Sequence, residues 1–371
     1  MKIFHLADTH IGYSAYSKLD PEGYNQREMD VNSAFGQVVD IAIKESPDLI
    51  LHSGDLFDTV RPSNRAISFV VGQLLRISDA GIPMVIISGN HSTPRLRETG
   101  TVFRVFEHIK NLHLAYTGKC EKYVFDDLAI HALPHTADKE LFDSEINALQ
   151  PDSDFSHNVA MLHTGVAGLG VFRMNEFNEL IATGNQLDRG FDYVALGHYH
   201  EHIRATSTSV YSGSTERFGF GEVGQPKGFV ELDLNKNKWK FRELNTRPML
   251  DLRSLNCTGI KANDIAAAIM ENIESTDIED AIIRQRITNI ERRELGLLDT
   301  GAIRKATSLA LHFELRPQAT QSDQKIASQD AAFESMEKEF VSYIGKADME
   351  GLDPEKLEAL GLEYLSRGED E

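Results

Sequence analysis

Seven side chains of metal-ligand type occur in five short clusters within the first part of this 371-residue chain. The clusters read Asp8-Thr-His10, Gly54-Asp55, Gly89-Asn90-His91, His163 and Gly197-His198-Tyr-His200. Carboxylate, imidazole and amide donors without a thiolate suit Mn²⁺, Fe or Zn²⁺ better than Cu⁺ or an iron–sulfur cluster. The donors are numerous enough for two ions, and two ions about 3.5–4 Å apart hydrolyse phosphate esters by in-line attack.

Individual members of this set have different expected roles. Asp55 is predicted to bridge two ions, because one carboxylate can give an oxygen to each. Asn90 would supply a neutral oxygen, which leaves more of the positive charge for a phosphate. His91 is not needed to fill either set of ligands, so it is the candidate general acid for the leaving oxygen. The alternative, that all these groups are structural core polar residues, requires a costly burial of many imidazoles and carboxylates.

Each cluster follows a short apolar or β-branched run, which predicts a buried strand. The runs are Lys2–Leu6, Leu49–Leu51, Met84–Ile87, Val159–Leu162 and Tyr193–Leu196. Helical patterns lie between them, so the order predicts an α/β fold with mostly parallel strands. Side chains at the ends of such strands converge on one rim of the sheet, where these folds place their sites.

The five motifs together resemble the calcineurin-like metallophosphoesterase superfamily. Asp8-Thr-His-Ile-Gly12, Gly54-Asp-Leu-Phe-Asp58 and Tyr211-Ser-Gly-Ser-Thr-Glu-Arg217 are similar to its DNA double-strand-break-repair branch, the archaeal meiotic-recombination-eleven or SbcD-like nucleases. The motif match covers residues 1 to about 230. The resemblance implies a β-sandwich flanked by helices, a small α+β capping domain and a C-terminal helical hairpin.

The resemblance also implies ligands, cofactors and activity. One metal would take Asp8, His10, Asp55 and His200, and the other would take Asp55, Asn90, His163 and His198. His91 would protonate the leaving group. The family binds two Mn²⁺ ions, with Fe²⁺ or another divalent metal as the alternative, and cuts DNA as a duplex-end exonuclease and a single-strand endonuclease. Its members act in double-strand-break repair with an SMC-like ABC ATPase that carries coiled coils.

Two positions depart from the family pattern. Ser92 stands where an acidic residue commonly follows Gly-Asn-His, which puts the orientation of His91 in doubt. Asp58 stands where some members have a second histidine, so no such histidine is assigned in this chain.

Four segments are expected along the chain. Residues 1–235 form the phosphoesterase domain and 236–318 the capping, DNA-binding domain. Residues 319–330 are polar and are expected to be a linker, and 331–371 hold two short amphipathic stretches. The family resemblance makes this tail the docking element for the ATPase; docking on its own domain or disorder before binding are the alternatives.

Two amphipathic helices are predicted near 63–79 and 94–110, the second opened by Thr93-Pro94. Their apolar stripes suit packing on the sheet, and the resemblance implies that they also form a homodimer. No run of about 18–20 apolar residues occurs, so no membrane contact is expected. Cys120 and Cys257 are expected to be free thiols in a reducing compartment, and the expected location is cytoplasmic and nucleoid-associated, or nuclear in a eukaryote.

The net charge of −19 is unusual for a DNA-binding protein. Acidic residues concentrate in the first 235 and the last 53 residues, whereas 236–318 is slightly basic. DNA contact then rests on a local patch, on a partner, or the composition reflects adaptation to raised intracellular salt. Two other functions remain open: a general metallophosphodiesterase that acts on small nucleotides, and a non-enzymatic DNA-end scaffold.

Overall fold

The computed structural model describes residues 1–93, 100–169 and 180–319, together with 340–341, 344, 356–357 and 359–362. The chain divides into two compact units. The first comprises Met1–Leu252, Ile273–Arg284 and Arg304–Glu314, and the second comprises Arg253–Asn272, Gln285–Ile303 and Leu315–Glu371.

Strands and helices alternate over the first 87 residues, and strands outnumber helices from there to residue 251. The elements there are β1 (Lys2–Leu6), α1 (Gln26–Glu45), β2 (Leu49–His52), α2 (Asn64–Asp79), β3 (Met84–Ile87), β4 (Leu112–Ala115), β5 (Glu121–Phe125), β6 (Leu128–Leu133), α3 (Lys139–Ala148), β7 (His157–His163), β8 (Gly165–Val166), β9 (Ile181–Ala182), α4 (Gly184–Leu187), β10 (Tyr193–Gly197), β11 (Ile203–Arg204), β12 (Ser209–Tyr211), β13 (Gly228–Asp233), β14 (Lys238–Glu243) and β15 (Met249–Asp251). The elements that follow are β16 (Leu255–Asn256), α5 (Ala262–Glu274), β17 (Ile282–Ile290), α6 (Arg292–Gly296), α7 (Thr300–Ala306) and β18 (His312–Ala319).

Two six-stranded sheets form the body of the first unit. The first sheet has the order β14-β13-β1-β2-β3-β4, and the second has the order β11-β12-β10-β7-β6-β5. Strands β1 to β4 run parallel, as do β6, β7, β10 and β12, whereas β5, β11, β13 and β14 pair antiparallel at the edges. The mostly parallel arrangement confirms the expectation from the sequence.

The alternation of side chains along β1 shows how the layers are built. Ile3 joins a cluster of apolar side chains from both sheets, including Leu51, Val85, Ile130 and Met161. Phe4 points the other way and packs with residues of α1 and α2. The outer face of the second sheet packs with α3 and α4. The strands are buried on both faces, which explains their continuous apolar runs, and the result is a β-sandwich flanked by helices.

Helix α2 confirms the prediction for residues 63–79. The Ser63 side chain accepts a hydrogen bond from the amide of Ala66 and so caps the helix. Ala66, Val70 and Leu74 are buried in the core at helical spacing, whereas Leu75, on the same predicted stripe, is 44% exposed. Most of the stripe therefore covers the sheet.

The second predicted helix, near 94–110, is wrong where the structure describes it. Residues 94–99 lie outside the described residues, and Val102–Phe106 forms a 3₁₀ helix that Thr101 caps. Phe103 and Phe106 are both fully buried. A 3₁₀ helix, with three residues per turn, places these two rings on one face, which an amphipathic α-helix does less directly.

Strands β13 and β14 form an antiparallel hairpin, joined through Asn237 in a left-handed conformation. Both strands belong to the first sheet. Strand β14 therefore extends the first sheet, although residues from 236 onward were expected to belong to the capping domain. The four-segment division of the chain remains a prediction.

A smaller sheet contains β17, which pairs in parallel with β15 through Ile282–Arg284 and with β16 through Ile287 and Thr288. In the second unit, α5 begins at Ala262, and its first amide donates to the Glu294 carboxylate at 2.8 Å. The carboxylate of a residue distant in sequence therefore supplies the cap of this helix.

The described residues of the tail, 340–341, 344, 356–357 and 359–362, are helical. The two segments are in contact, since a Cβ atom added at Gly361 would lie 2.2 Å from the Phe340 ring. The linker and most of the expected hairpin lie outside the described residues. Within the described part of the chain, no helix is long and apolar enough to cross a membrane, and both cysteines are free.

Candidate metal centre

The seven predicted ligands come together in the first unit, where the parallel strands of both sheets end. Asp8 and His10 follow β1, Asp55 follows β2, Asn90 follows β3, His163 ends β7, and His198 and His200 follow β10. Three overlapping groups have ligand atoms within 4.8 Å of one another: Asp8, His10 and His200; His10, Asp55 and His91; Asp8, Asp55 and His163. Strand order therefore assembles the site, as the sequence predicted.

The first donor group centres on His10 and His200. Their Nε2 atoms lie 3.2 Å apart. His200 Nδ1 lies 2.9 Å from Glu222 Oε1 and donates its proton to that carboxylate. The Nε2 atom of neutral His200 then carries a lone pair that faces His10, and Asp8 adds a carboxylate oxygen nearby. These three residues could together hold one cation.

The second donor group centres on His163. Its Nδ1 atom donates to the Ser53 carbonyl at 2.8 Å, which leaves Nε2 as the ligand atom. Nε2 lies 2.8 Å from Asn90 Oδ1 and 3.2 Å from Asp55 Oδ2. The His198 ring lies 5.3 Å from the His163 ring, and its backbone amide donates to the Asp8 carboxylate.

Asp55 is shared by the two groups. Its Oδ2 atom lies 3.2 Å from His163 Nε2 and 3.9 Å from His10 Nε2. Its Oδ1 atom accepts a hydrogen bond from the backbone amide of His91 at 2.9 Å. The sequence suggested one oxygen for each ion; in the structure, a single oxygen faces both histidines and the other is fixed by the backbone.

The charge balance of the site favours a cation. Burial lowers the pKa of His163, but the Asp55 carboxylate and then Asp8 outweigh it and raise that pKa to about 9. Burial raises the pKa of Asp55, and the positive charge of His163 and His10 more than offsets this, so its pKa is lowered. The carboxylates that stabilise an imidazolium here are the ones that attract a divalent ion. Oxygen and nitrogen donors without sulfur fit such an ion.

The glycines of the motifs have a steric role. Gly54 has φ +98°, and a Cβ atom there would lie 2.2 Å from His163 Nδ1. A Cβ atom at Gly89 would lie 2.2 Å from Asp55 Oδ1. The ligands Asp8, His10, Asp55 and His198 themselves have positive φ. Such conformations cost about 1–3 kcal/mol each and concentrate at functional sites.

His91 is held by Asp58 rather than by its sequence neighbour. Its Nδ1 atom donates to the Asp58 backbone carbonyl at 2.6 Å, and its ring stands edge-on to the His10 ring at 4.7 Å. The Ser92 hydroxyl is buried and has no hydrogen-bond partner among the described residues. The departure at Ser92 therefore leaves the orientation of His91 defined, and His91 Nε2 stays available for a substrate.

Sequence reasoning missed three polar residues that support the ligands. The Asp58 carboxylate lies 3.3 Å from His10 Nδ1. Glu222 accepts from His200, and Lys227, which is fully buried, lies 2.6 Å from the second Glu222 oxygen. Burial raises the pKa of Glu222, but the His200 hydrogen bond and the Lys227 charge outweigh it and lower that pKa to about 2. No ligand-like spacing marks Glu222 or Lys227 in the sequence.

The Gly-Ser-Thr-Glu-Arg signature, residues 213–217, makes buried contacts that stabilise its own loop. Ser214 Oγ accepts from Lys227 Nζ at 2.9 Å. Glu216, 1% exposed, lies 3.7 Å from the equally buried Arg27 of α1, and Arg27 also donates to the Arg217 carbonyl. The signature therefore fixes the loop that carries Glu222 and supplies no ligand itself.

Comparison with known proteins agrees with the motifs. The family described as calcineurin-like phosphoesterase matches residues 1–202. A protein named DNA double-strand break repair protein Mre11 from Saccharolobus solfataricus is 32% identical over 249 residues, which are 64% of this chain and 61% of that protein. A protein of the same name from Sulfurisphaera tokodaii is 31% identical over 204 residues, 54% of this chain and 49% of its own. The Thermoplasma acidophilum protein of that name is 27% identical, with 74% and 73% covered.

The matches to the first two relatives span about half to three fifths of those proteins. A solved protein from Thermus thermophilus aligns at 13% identity over 66% of this chain and 99% of its own, with a TM-score of 0.42, too low to add to the family match. The family match spans more than half of the chain and includes all seven ligands. The chain is a member of the calcineurin-like phosphoesterase family.

Proposed function

We propose that the protein is a DNA nuclease of double-strand-break repair that works with two divalent metal ions. The observation that carries the proposal is the shared Asp55 oxygen, which faces one donor group through His10 and the other through His163. Two donor groups with one common carboxylate are the arrangement that binuclear phosphoesterases use. The relatives named for double-strand-break repair support DNA as the substrate.

Two ions, when bound, supply Lewis acidity that polarises the phosphodiester and lowers the pKa of water to near neutrality. The remaining work belongs to the chain. Asp55, fixed by the His91 amide, keeps the two donor groups together. His91, oriented by the Asp58 carbonyl, donates a proton from Nε2 to the leaving oxygen. The Phe218 ring packs against both His10 and His200 and limits their rotation.

Mn²⁺ is the proposed ion, and Fe²⁺ is the alternative. Both accept imidazole and carboxylate ligands. The proposed assignment puts Asp8, His10 and His200 on one ion and Asn90, His163 and His198 on the other, with Asp55 on both.

DNA contact is proposed for the slightly basic segment 236–318 rather than for the acidic remainder. Arg284 of this segment is already engaged, because its guanidinium pairs with Asp251 at 2.7 and 2.9 Å and lies over the Phe220 ring. Arg292 and Arg293 on α6 are stronger candidates for phosphate contact. Substituting both is expected to weaken DNA binding and to reduce its salt dependence.

The tail 331–371 is proposed to dock on a coiled-coil ABC ATPase, and helix α2 to contribute to a homodimer, in a DNA-associated location inside the cell. Removal of 331–371 is expected to abolish co-purification with the ATPase and to leave nuclease activity of the isolated protein. Retained co-purification would show that the docking element lies elsewhere.

An end-labelled linear duplex tests the function directly. Nucleotide release is expected with Mn²⁺, and none with chelator; the Mg²⁺ reaction measures metal selectivity. A small ester such as bis-p-nitrophenyl phosphate is the matched substrate for the alternative, a general phosphodiesterase. Efficient cleavage of the small ester with an intact duplex would favour that alternative. Bound metal without cleavage of either substrate would favour a DNA-end scaffold.

A further inference from the structure

A chain of buried polar contacts leads from the metal centre into the loop after the Gly-Ser-Thr-Glu-Arg signature. His200 Nδ1 meets Glu222 Oε1 at 2.9 Å, and the other carboxylate oxygen, Oε2, meets Lys227 Nζ at 2.6 Å. Lys227 is 0% exposed, and the Glu222 side chain is 16% exposed. The carboxylate thus has one oxygen for the ligand and one for a fixed cation.

Lys227 is itself tied to the same stretch of chain. Its ammonium donates to the His200 carbonyl at 2.8 Å and to Ser214 Oγ at 2.9 Å, with Gln225 Oε1 at 3.3 Å. The lysine therefore contacts both the backbone of the ligand and the carboxylate that faces its ring. An ammonium has three donors and no acceptor, and all three have partners here.

We propose that Glu222, anchored by Lys227, is the positioning residue that holds His200 in its metal-binding tautomer; the inference rests on the proposed two-ion function. A carboxylate accepts hydrogen bonds only, so it requires the proton on Nδ1 and leaves Nε2 as a lone pair. The Nε2 atom lies 3.2 Å from His10 Nε2, which is where the donor group converges. Carboxylates behind metal-bound histidines also raise the basicity of the ligand.

Glutamine at 222 tests this reasoning. Glu222→Gln keeps the shape of the side chain and removes its charge, and its amide can offer either an oxygen or an N–H to His200. The tautomer is then no longer enforced. Loss of such a partner weakens metal binding by about 10–100-fold. Lys227→Met is expected to give a smaller loss of affinity, because Glu222 then keeps its contact with His200 but loses its anchor.

Glu216→Gln is the matched control. It removes one carboxylate charge from the same loop, and Glu216 is 1% exposed, but its ion-pair partner is Arg27 rather than a ligand. If the network served only to fold the loop, both glutamine variants would lower the melting temperature, and both would have the same metal affinity. The proposal requires metal affinity to fall in Glu222→Gln and to hold in Glu216→Gln.

The experiment is a titration of the metal-free full chain with Mn²⁺, followed by electron paramagnetic resonance of the free ion, without DNA. Histidine ¹⁵N spectra are recorded on the metal-free samples before Mn²⁺ is added, because the paramagnetic ion would broaden nearby signals. They report the tautomer of His200, assigned from a His200→Asn spectrum. In Glu222→Gln we expect one of the two ions to bind at least about tenfold more weakly, and we expect mixed tautomers at His200. In Glu222→Asp, metal binding is expected to be restored where the shorter carboxylate reaches Nδ1. Unchanged affinity and an unchanged tautomer in Glu222→Gln would overturn the proposal. Neither readout needs cleavage, so a wild-type protein that binds two ions without cutting DNA would refute the nuclease proposal alone.

Discussion

His163 and His200 belong to different donor groups of the metal centre, and their outer ring nitrogens meet different partners. His163 Nδ1 donates to the Ser53 carbonyl, a backbone atom at the end of β2. His200 Nδ1 donates to the Glu222 carboxylate, a side chain of the loop between β12 and β13. The backbone of the sandwich therefore fixes one ligand, and a loop with a buried lysine fixes the other.

This contrast shows which parts of such a centre depend on the fold and which on particular side chains. A backbone carbonyl is present whatever residue occupies the position, so the His163 side needs only the strand ends and small residues for close approach. The His200 side needs Glu222, and Glu222 needs Lys227. Metal binding should therefore respond differently to substitution of Asp55, of residues around His163, and of residues around His200.

Asp55→Asn should have the largest effect, because Asp55 belongs to both donor groups. Both ions are expected to bind more weakly, and DNA cleavage is expected to fall by about a thousandfold or more, since metal ions contribute several kcal/mol of transition-state stabilisation. Calorimetric metal titration and an end-release assay measure the two effects. Asp154→Asn, an exposed surface change, is the control. Full occupancy of both ions in Asp55→Asn would contradict a shared ligand.

His91→Ala should separate chemistry from metal binding. His91 is oriented by the Asp58 carbonyl and is expected to act as an acid, so cleavage should fall by about 10²–10⁴-fold while both ions stay bound. Exposed His108→Ala is the control. Loss of an ion on titration of His91→Ala would make His91 a ligand, which its place within 4.8 Å of His10 and Asp55 allows.

Gly54→Ala should weaken metal binding selectively at the donor group around His163. The added methyl would meet His163 Nδ1 at 2.2 Å, and the residue would keep a positive φ of +98°. We expect the free energy of unfolding to fall by about 1–3 kcal/mol and the ion at His163 to be lost first.

Gly36→Ala in α1 is the matched control, because no atom lies within 4 Å of its added Cβ. It is expected to stabilise the helix by about 0.5–1 kcal/mol. Equal stability and equal metal binding in the Gly54 and Gly36 variants would show that the close approach of Gly54 to His163 does not matter.

His5 tests the sandwich interior beneath the strand ends. Burial, with smaller contributions from His202 and His52, lowers its pKa to about 3. The unfolded chain then binds a proton near pH 6.5 that the folded protein does not, so stability is fully present above 6.5 and is lost as pH falls toward 3. The free energy of unfolding can be measured by denaturant titration in chelator at several pH values between 5.5 and 4. Its change with pH should be smaller by about 1.4 kcal/mol per pH unit in His5→Leu than in the wild type.

Tyr193→Phe is the control for this slope, because it removes the hydroxyl 2.9 Å from His5 Nδ1 but keeps the titrating ring. Its unfolding slope should resemble that of the wild type. Equal slopes in wild type and His5→Leu would show that His5 is not kept neutral by the fold.

The sequence alone indicated the parallel sheets and the family, and it predicted the seven candidate ligands that the fold brings together, because these features depend on local patterns. Apolar runs that end in Asp, Asn or His specify strands whose ends carry donors, and Gly54 and Gly89 precede ligands because the backbone must approach them closely. The prediction of an α-helix near 94–110 was wrong over 100–110, because burial of Phe103 and Phe106 favours a 3₁₀ helix there.

Only the tertiary structure decided how the ligands are held. Glu222 and Lys227 lie 22 and 27 residues beyond His200, and no spacing links them to it, since loop contacts depend on how the chain returns to the site. The same holds for Asp58, which orients His91 through its backbone carbonyl. Every residue type has such a carbonyl, so the sequence does not mark this contact. Local sequence thus determined which donor atoms are available to a metal, and the packing of distant segments determined which nitrogens of His163 and His200 face the candidate metal centre.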